Sequence, residues 1–167
     1  RNALNDTDGG RDTINVAAVA SASRIDLTAG TGTVAGAALH IPNSGQIENV
    51  LGGEFNDTLI GNAASNILMG GRGDDTLDGR DGQDTLDGGL GNDTLSGGAD
   101  SDLFVIGREA GAQDTILDFG AGASASVAET IALVGFGGLS FASLARTQVG
   151  ADVRLDLGED QTLWLRN

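Results

Sequence analysis

Gly70-Gly71-Arg72-Gly73-Asp74-Asp75-Thr76-Leu77-Asp78, followed at once by GRDGQDTLD at 79–87 and GGLGNDTLS at 88–96, decides the fold. The same nine-residue frame runs back through GNAASNILM at 61–69 to GGEFNDTLI at 52–60, and forward to GGADSDLFV at 97–105. The blocks hold register without an insertion, and those at 70–78 and 88–96 fit Gly-Gly-x-Gly-x-Asp-x-apolar-x completely. Position eight is Leu59, Leu68, Leu77, Leu86, Leu95 and Phe104, and one block earlier it is Val50. Position six is Asp57, Asn66, Asp75, Asp84, Asp93 and Asp102, preceded by Glu48. An apolar ladder therefore runs beside an acidic one.

Each block divides into a glycine-rich turn, where glycine takes positive φ values that bulkier residues avoid, and a three-residue strand. A strand that short cannot bury its leucine alone. Successive blocks must alternate between two sheets, two blocks making one coil, with coils stacked at about 4.8 Å. The expected fold is all-β: a right-handed parallel β-roll of two short-stranded parallel sheets with flanking β caps. Three coils rise only about 14 Å, so the roll needs caps at its ends. We read one domain over 1–167, with an N-terminal β cap at 1–51, the repeats at 52–105 and a C-terminal cap at 106–167.

The flanks carry traces of the same theme. Gly9-Gly10-Arg11-Asp12-Thr13-Ile14 repeats it once, and Arg24-Ile25-Asp26-Leu27 alternates as a strand does. After Val105 the register slips, yet Asp114-Thr115-Ile116 returns three residues late and Glu129-Thr130-Ile131 echoes it, which predicts degenerate edge coils. Val153, Leu155 and Leu157, then Leu163 and Leu165 around Trp164, predict two antiparallel strands. Ser140 is placed to cap a short helix through Phe141, Ser143 and Leu144. The apolar neighbours of Trp164 suggest a core or cap role for it.

Charge points to the ligand. The chain has 24 acidic residues against nine basic ones, a formal charge of −15, with 28 Gly, one Pro and no Cys. A compact state this acidic repels itself, and nucleic acid or an anionic membrane surface would be poor partners. A cation suits it. Calcium takes six to eight oxygens from carboxylates and carbonyls in flexible geometry, and the turns supply both. The candidate ligand set is Gly53, Asp57, Gly71, Gly73, Asp75, Gly82, Asp84, Gly89, Gly91, Asp93, Gly98, Asp100 and Asp102.

Turns on one side of the roll come from alternate blocks, so the expected interturn sites pair Asp57 with Asp75, Asn66 with Asp84, Asp75 with Asp93, and Asp84 with Asp102. About three to five calcium ions are expected, and metal would replace disulfides as the staple of the fold. Asn66 lowers the ligand charge of the second site. Arg80 and Asp100 occupy glycine places and weaken the outer ones. Asp and Gly also favour turns without metal, but an acidic ladder at strand spacing is destabilising without cations. Asp8 with Asp12, and Asp118, could each be a further ligand or a plain turn residue. Because the ligands converge only in the roll, folding is expected to be coupled to calcium.

Catalysis has no candidate. No HExxH or GxSxG motif occurs, Cys and Tyr are absent, and His40 is the single histidine, read as structural or exposed. Asp74 beside Asp75 is better read as ligation or solvation than as an acid/base pair. No window reaches the apolar length of a membrane span, and residues 1–20 do not read as a signal peptide.

The blocks resemble the repeats of RTX proteins, exported by Gram-negative bacteria through type I secretion. Residues 8–14, 24–27 and Ile47-Glu48-Asn49-Val50-Leu51-Gly52-Gly53 followed by 57–62 are similar to the C-terminal domain of serralysin-type metalloproteases, and Asp114-Thr115-Ile116-Leu117-Asp118-Phe119 is similar to the segment after the roll. The resemblance implies a non-enzymatic, secreted or cell-surface calcium-binding module beside an attached catalytic or adhesive domain of the same polypeptide, with the type I secretion machinery as partner. The serralysin catalytic motif is absent and the sequence ends at Arg166-Asn167 without the usual apolar tail. The alternative is a polysaccharide-binding or self-associating module of an alginate epimerase, adhesin or surface layer, which would show a strip of Arg or aromatic residues along one face.

Overall fold

The computed structural model describes residues 10–42, 44–120, 129–137, 139 and 143–166. Its strands are β1 (Asp12–Asn15), β2 (Arg24–Asp26), β3 (Thr31–Val34), β4 (Ala37–His40), β5 (Ile47–Leu51), β6 (Thr58–Ile60), β7 (Ile67–Arg72) and β8 (Thr76–Arg80). There follow β9 (Thr85–Leu90), β10 (Thr94–Gly98), β11 (Leu103–Gly107), β12 (Gln113–Ile116), β13 (Thr130–Val134), β14 (Ala145–Val149), β15 (Asp152–Gly158) and β16 (Gln161–Leu165).

Two sheets form, as the nine-residue frame requires. One is six-stranded in the order β1-β5-β7-β9-β11-β13, and the other is ten-stranded in the order β14-β15-β16-β12-β10-β8-β6-β2-β3-β4. Successive repeat strands alternate between them, so β6, β8 and β10 stack on one side and β7, β9 and β11 on the other, all parallel. Partners such as Thr58 with Thr76 and Thr76 with Thr94 are two blocks apart.

The central strands are longer than the three residues expected. β7 to β10 run for five or six residues, into the first two or three positions of the next block. Small glycines let the ladder continue there, as in the pairing of Gly71 with Gly89. The corner comes at position two, where φ is +113° at Gly71 and +101° at Gly89.

The flanks add strands to the same two sheets. β12 pairs in parallel with β10 through Thr115 and Thr94, which is the three-residue slip read from the sequence. β13 pairs with β11, and β2 and β1 join β6 and β5. The expected antiparallel pair is β15 with β16, but β16 also lies parallel to β12. Two hairpin excursions, β3–β4 and β14–β15, extend the edges of the larger sheet. Most of the helix expected after Ser140 lies outside the described residues.

Between the sheets two apolar ladders face each other. Ile14, Val50, Leu68, Leu86, Phe104 and Ile131 align through the smaller sheet, and Ile25, Leu59, Leu77, Leu95, Ile116 and Leu165 through the larger. All join the core cluster, and Leu59, Leu68, Leu86, Leu95 and Phe104 are fully buried. Each such leucine contributes about 1.5–3 kcal/mol on burial.

Trp164 is not part of that core. Alternation along β16 turns Leu163 and Leu165 inward, so the indole takes the outer face, where the guanidinium of Arg166 lies 5.0 Å and that of Arg154 6.0 Å from its ring. Among the described residues, no helix is long and apolar enough to cross a membrane.

Candidate metal centre

The position-six residues end their turns just before each strand, so stacking of the coils aligns them in two columns. One column runs Asp57, Asp75, Asp93 and the other Asn66, Asp84, Asp102. Each is at most 3% exposed.

All four expected pairs are in direct contact. The Asp57 N–H donates to Asp75 Oδ1 at 2.7 Å, and Asn66 N–H to Asp84 Oδ1 at 2.7 Å. Asp75 N–H donates to Asp93 Oδ1 and Asp84 N–H to Asp102 Oδ1, each at 2.9 Å. One carboxylate oxygen thus ties each coil to the one before. The other is left over: Oδ2 of Asp75, Asp84 and Asp102 is buried without any hydrogen-bond partner.

Asp57 differs, because both its oxygens are satisfied by amides. Oδ1 accepts from Ser23 N–H at 2.6 Å and Oδ2 from Gly53 N–H at 2.7 Å.

The glycines shape these turns in two ways. At position one they make room. A Cβ on Gly79 would overlap Asp84 Oδ2 and the Gly97 carbonyl oxygen, and one on Gly97 would overlap Asp102 Oδ2. At positions two and four they supply left-handed backbone, with φ between +99° and +131° at Gly71, Gly73, Gly82, Gly89, Gly91 and Gly98. Arg80 and Asp100 keep that conformation without being glycine, at φ +83° and +75°. The turn geometry therefore survives both departures, at the cost of local strain.

Burial without a counter-charge disfavours the ionised carboxylates. It pushes Asp75 and Asp84 up to about 7, with like charges at Asp93 and Asp57, and at Asp102, adding to it. Asp93 and Asp102 are raised to about 6 for the same primary reason. Opposing N–H donors only partly offset the effect.

A hard cation resolves this conflict. Unpartnered buried carboxylate oxygens surrounded by backbone, with no cysteine in the chain, suit calcium rather than a softer metal. Among the described residues no group of three or more His, Cys, Asp or Glu side chains converges on one point. Each ion would then take most of its oxygens from turn carbonyls, which the glycines leave unobstructed. His40 is exposed at the end of β4, far in role from any such site.

Two acidic residues extend the arrangement past the perfect repeats. Asp114 Oδ1 accepts from Asp93 N–H at 3.1 Å, continuing the first column, and burial raises this carboxyl to about 7. Its signal was the late Asp-Thr-Ile triplet. Asp118 accepts from Ser96 Oγ at 2.7 Å, Gly97 N–H at 3.1 Å and Gly98 N–H at 2.9 Å, tying down the last turn. Of the Asp8 and Asp12 pair, Asp8 lies outside the described residues; the Asp12 N–H donates to Glu48 Oε2 at 2.8 Å.

Residues 44–77, 51–86 and 69–104 match the family profile described as RTX calcium-binding nonapeptide repeat (4 copies). No curated protein matches the chain. The roll is a calcium-binding module, of a repeat type that is not itself catalytic.

Proposed function

We propose that this roll folds when calcium binds outside the cell, and that in doing so it supports the folding and type I secretion of an attached extracellular protein, of which a serralysin-like protease is the leading case. The observation that carries the calcium-coupled part is the set of buried, unpartnered Oδ2 atoms at Asp75, Asp84 and Asp102. An ionised carboxylate in that position costs several kcal/mol unless it is paired or coordinates a metal. In a compartment poor in free calcium the cost opposes folding. At the millimolar calcium found outside cells, occupation of the sites reverses it, because binding to the folded state alone adds directly to stability.

We place the bound ions between stacked turns at the pairs Asp57 with Asp75, Asp75 with Asp93, and Asp84 with Asp102, with a weaker one at Asn66 and Asp84. The resemblance of the flanking segments supports the attached protease and the export route. Far-UV circular dichroism during a calcium titration from chelator, with magnesium as control, tests the coupling. A cooperative gain of β signal with calcium alone is expected. A fully folded spectrum in chelator would sink it.

The alternative of a polysaccharide-binding face gains little support. Trp164 clusters with Arg154 and Arg166 toward one end of the larger sheet, and Arg166 is paired with Asp152. Along the rest of that face the outward ladder is Thr115, Thr94, Thr76 and Thr58, ending at Arg24, which is paired with Asp26.

A further inference from the structure

The block at 61–69 is the one that departs furthest from the pattern, and its two asparagines behave unlike any consensus residue. Elsewhere the position-six side chain turns an oxygen toward the preceding coil and accepts an N–H from it. Asn66 turns its amide nitrogen that way instead, donating to the carbonyl oxygens of Glu48 at 3.2 Å and Ile47 at 3.4 Å. Asn62, at position two, donates to Ser44 O at 2.7 Å and Ile47 O at 3.0 Å.

The orientation of both amides is fixed by what their oxygens accept. Asn66 Oδ1 takes the Asn62 N–H at 2.8 Å, and Asn62 Oδ1 takes the Ala64 N–H at 2.8 Å. Flipping either side chain would set oxygen against carbonyl oxygen and N–H against N–H. Both residues are buried, Asn66 at 1% and Asn62 at 6% exposure, and neither has an orphaned polar atom.

We infer that Asn62 and Asn66 form an amide plug that takes the place of a calcium ion between the turn at 44–48 and the turn at 61–66. Resting on the calcium reading of the roll, this assigns which interturn space is independent of metal. The carbonyls of Ser44, Ile47 and Glu48 are the kind of oxygens a cation would collect there. Four N–H contacts from two neutral side chains satisfy them without adding charge. The family profile begins at residue 44 and so counts this turn among the calcium-binding repeats; the polarity of its side chains says otherwise. One end of the roll is thereby closed by hydrogen bonds that need no calcium ion of their own.

Three measurements test the plug. In the unsubstituted chain, the side-chain NH₂ resonances of Asn62 and Asn66 are expected to stay protected from solvent exchange at saturating calcium. Fast exchange of either pair at saturating calcium would overturn the inference. The double variant Asn62→Gly with Asn66→Asp, which restores the consensus at both positions, is expected to carry one calcium ion more than the unsubstituted chain in native mass spectrometry. The single variant Asn66→Asp, which exchanges a donor for an acceptor facing Ile47 O and Glu48 O, should need more calcium than the unsubstituted chain to reach half its β signal. An unsubstituted chain that binds calcium, with variants that bind no more, removes the plug and leaves the roll intact. An unsubstituted chain that binds no calcium removes the reading on which both rest.

Discussion

Asp75 and Asp57 occupy the same place in their blocks, yet the structure gives them different burdens. Asp57 has an amide on each oxygen, whereas Asp75 has one oxygen on Asp57 N–H and one without a partner, and it belongs to two interturn pairs. Asp75→Ala is therefore expected to raise the calcium midpoint of folding by about tenfold or more, and Asp57→Ala by less. Equal midpoints in parallel titrations would contradict the sharing of Asp75 between sites. Arg80 gives a second single-residue test. Its left-handed backbone costs about 1–2 kcal/mol, while its ion pair with Asp78 at 3.2 Å is solvent-exposed and weak. Arg80→Gly should stabilise the calcium-loaded chain by about 0.5–1 kcal/mol, since glycine's greater chain entropy offsets part of the relief. Thermal melts of the two proteins check it.

The column of carboxylates is an element in its own right, and its response to pH has two opposite signs. The usual aspartate value is 3.8, and burial raises Asp75, Asp84 and Asp114 to about 7 and Asp93 and Asp102 to about 6. A carboxyl whose folded value is raised favours the protonated folded state, so without calcium the roll is expected to lose stability as pH rises from 4 toward 7. Calcium needs the ionised form. Its midpoint should therefore climb as pH falls below about 7, by up to about tenfold per pH unit for each proton displaced. Chemical denaturation in chelator and calcium titration at matched pH values measure the two arms; a common sign in both would exclude proton–calcium competition at these sites. The apolar ladder is a separate element. Leu86 is fully buried between Leu68 and Phe104, and Leu86→Ala should cost about 2–5 kcal/mol in denaturant unfolding with calcium present.

At the scale of the molecule, the demand for metal is uneven along the stack. Of the position-six side chains, those of Asp57 and Asn66 have their polar atoms hydrogen-bonded, whereas Oδ2 of Asp75, Asp84 and Asp102 has no partner. Partial removal of calcium should loosen the coils of β9 to β11 before those of β5 to β7. Native-state hydrogen exchange at limiting calcium is expected to show longer protection for the amides of β5 and β7. Uniform loss along the stack would mean that the roll opens as one cooperative unit.

The sequence by itself determined the roll. A Leu every nine residues fixes the inward face, glycine at fixed offsets fixes the turns, and the spacing of two blocks brings Asp57 to Asp75 and Asp84 to Asp102 without any reference to the flanks. Periodicity makes all of this legible, because each contact repeats and one block predicts the next. What lacks a period was decided by the tertiary structure alone. The parallel pairing of Gln113 with Thr162 across the β14–β15 excursion, the outward turn of Trp164, and the amides that Ser23 and Gly53 offer to Asp57 depend on how nonrepeating segments dock. So does the fate of each carboxylate oxygen. Residue type shows that an oxygen is present at position six, but whether a donor reaches it, an amide replaces it or it waits for a cation depends on which backbone atoms the neighbouring coil presents, and that is set only when the coils stack.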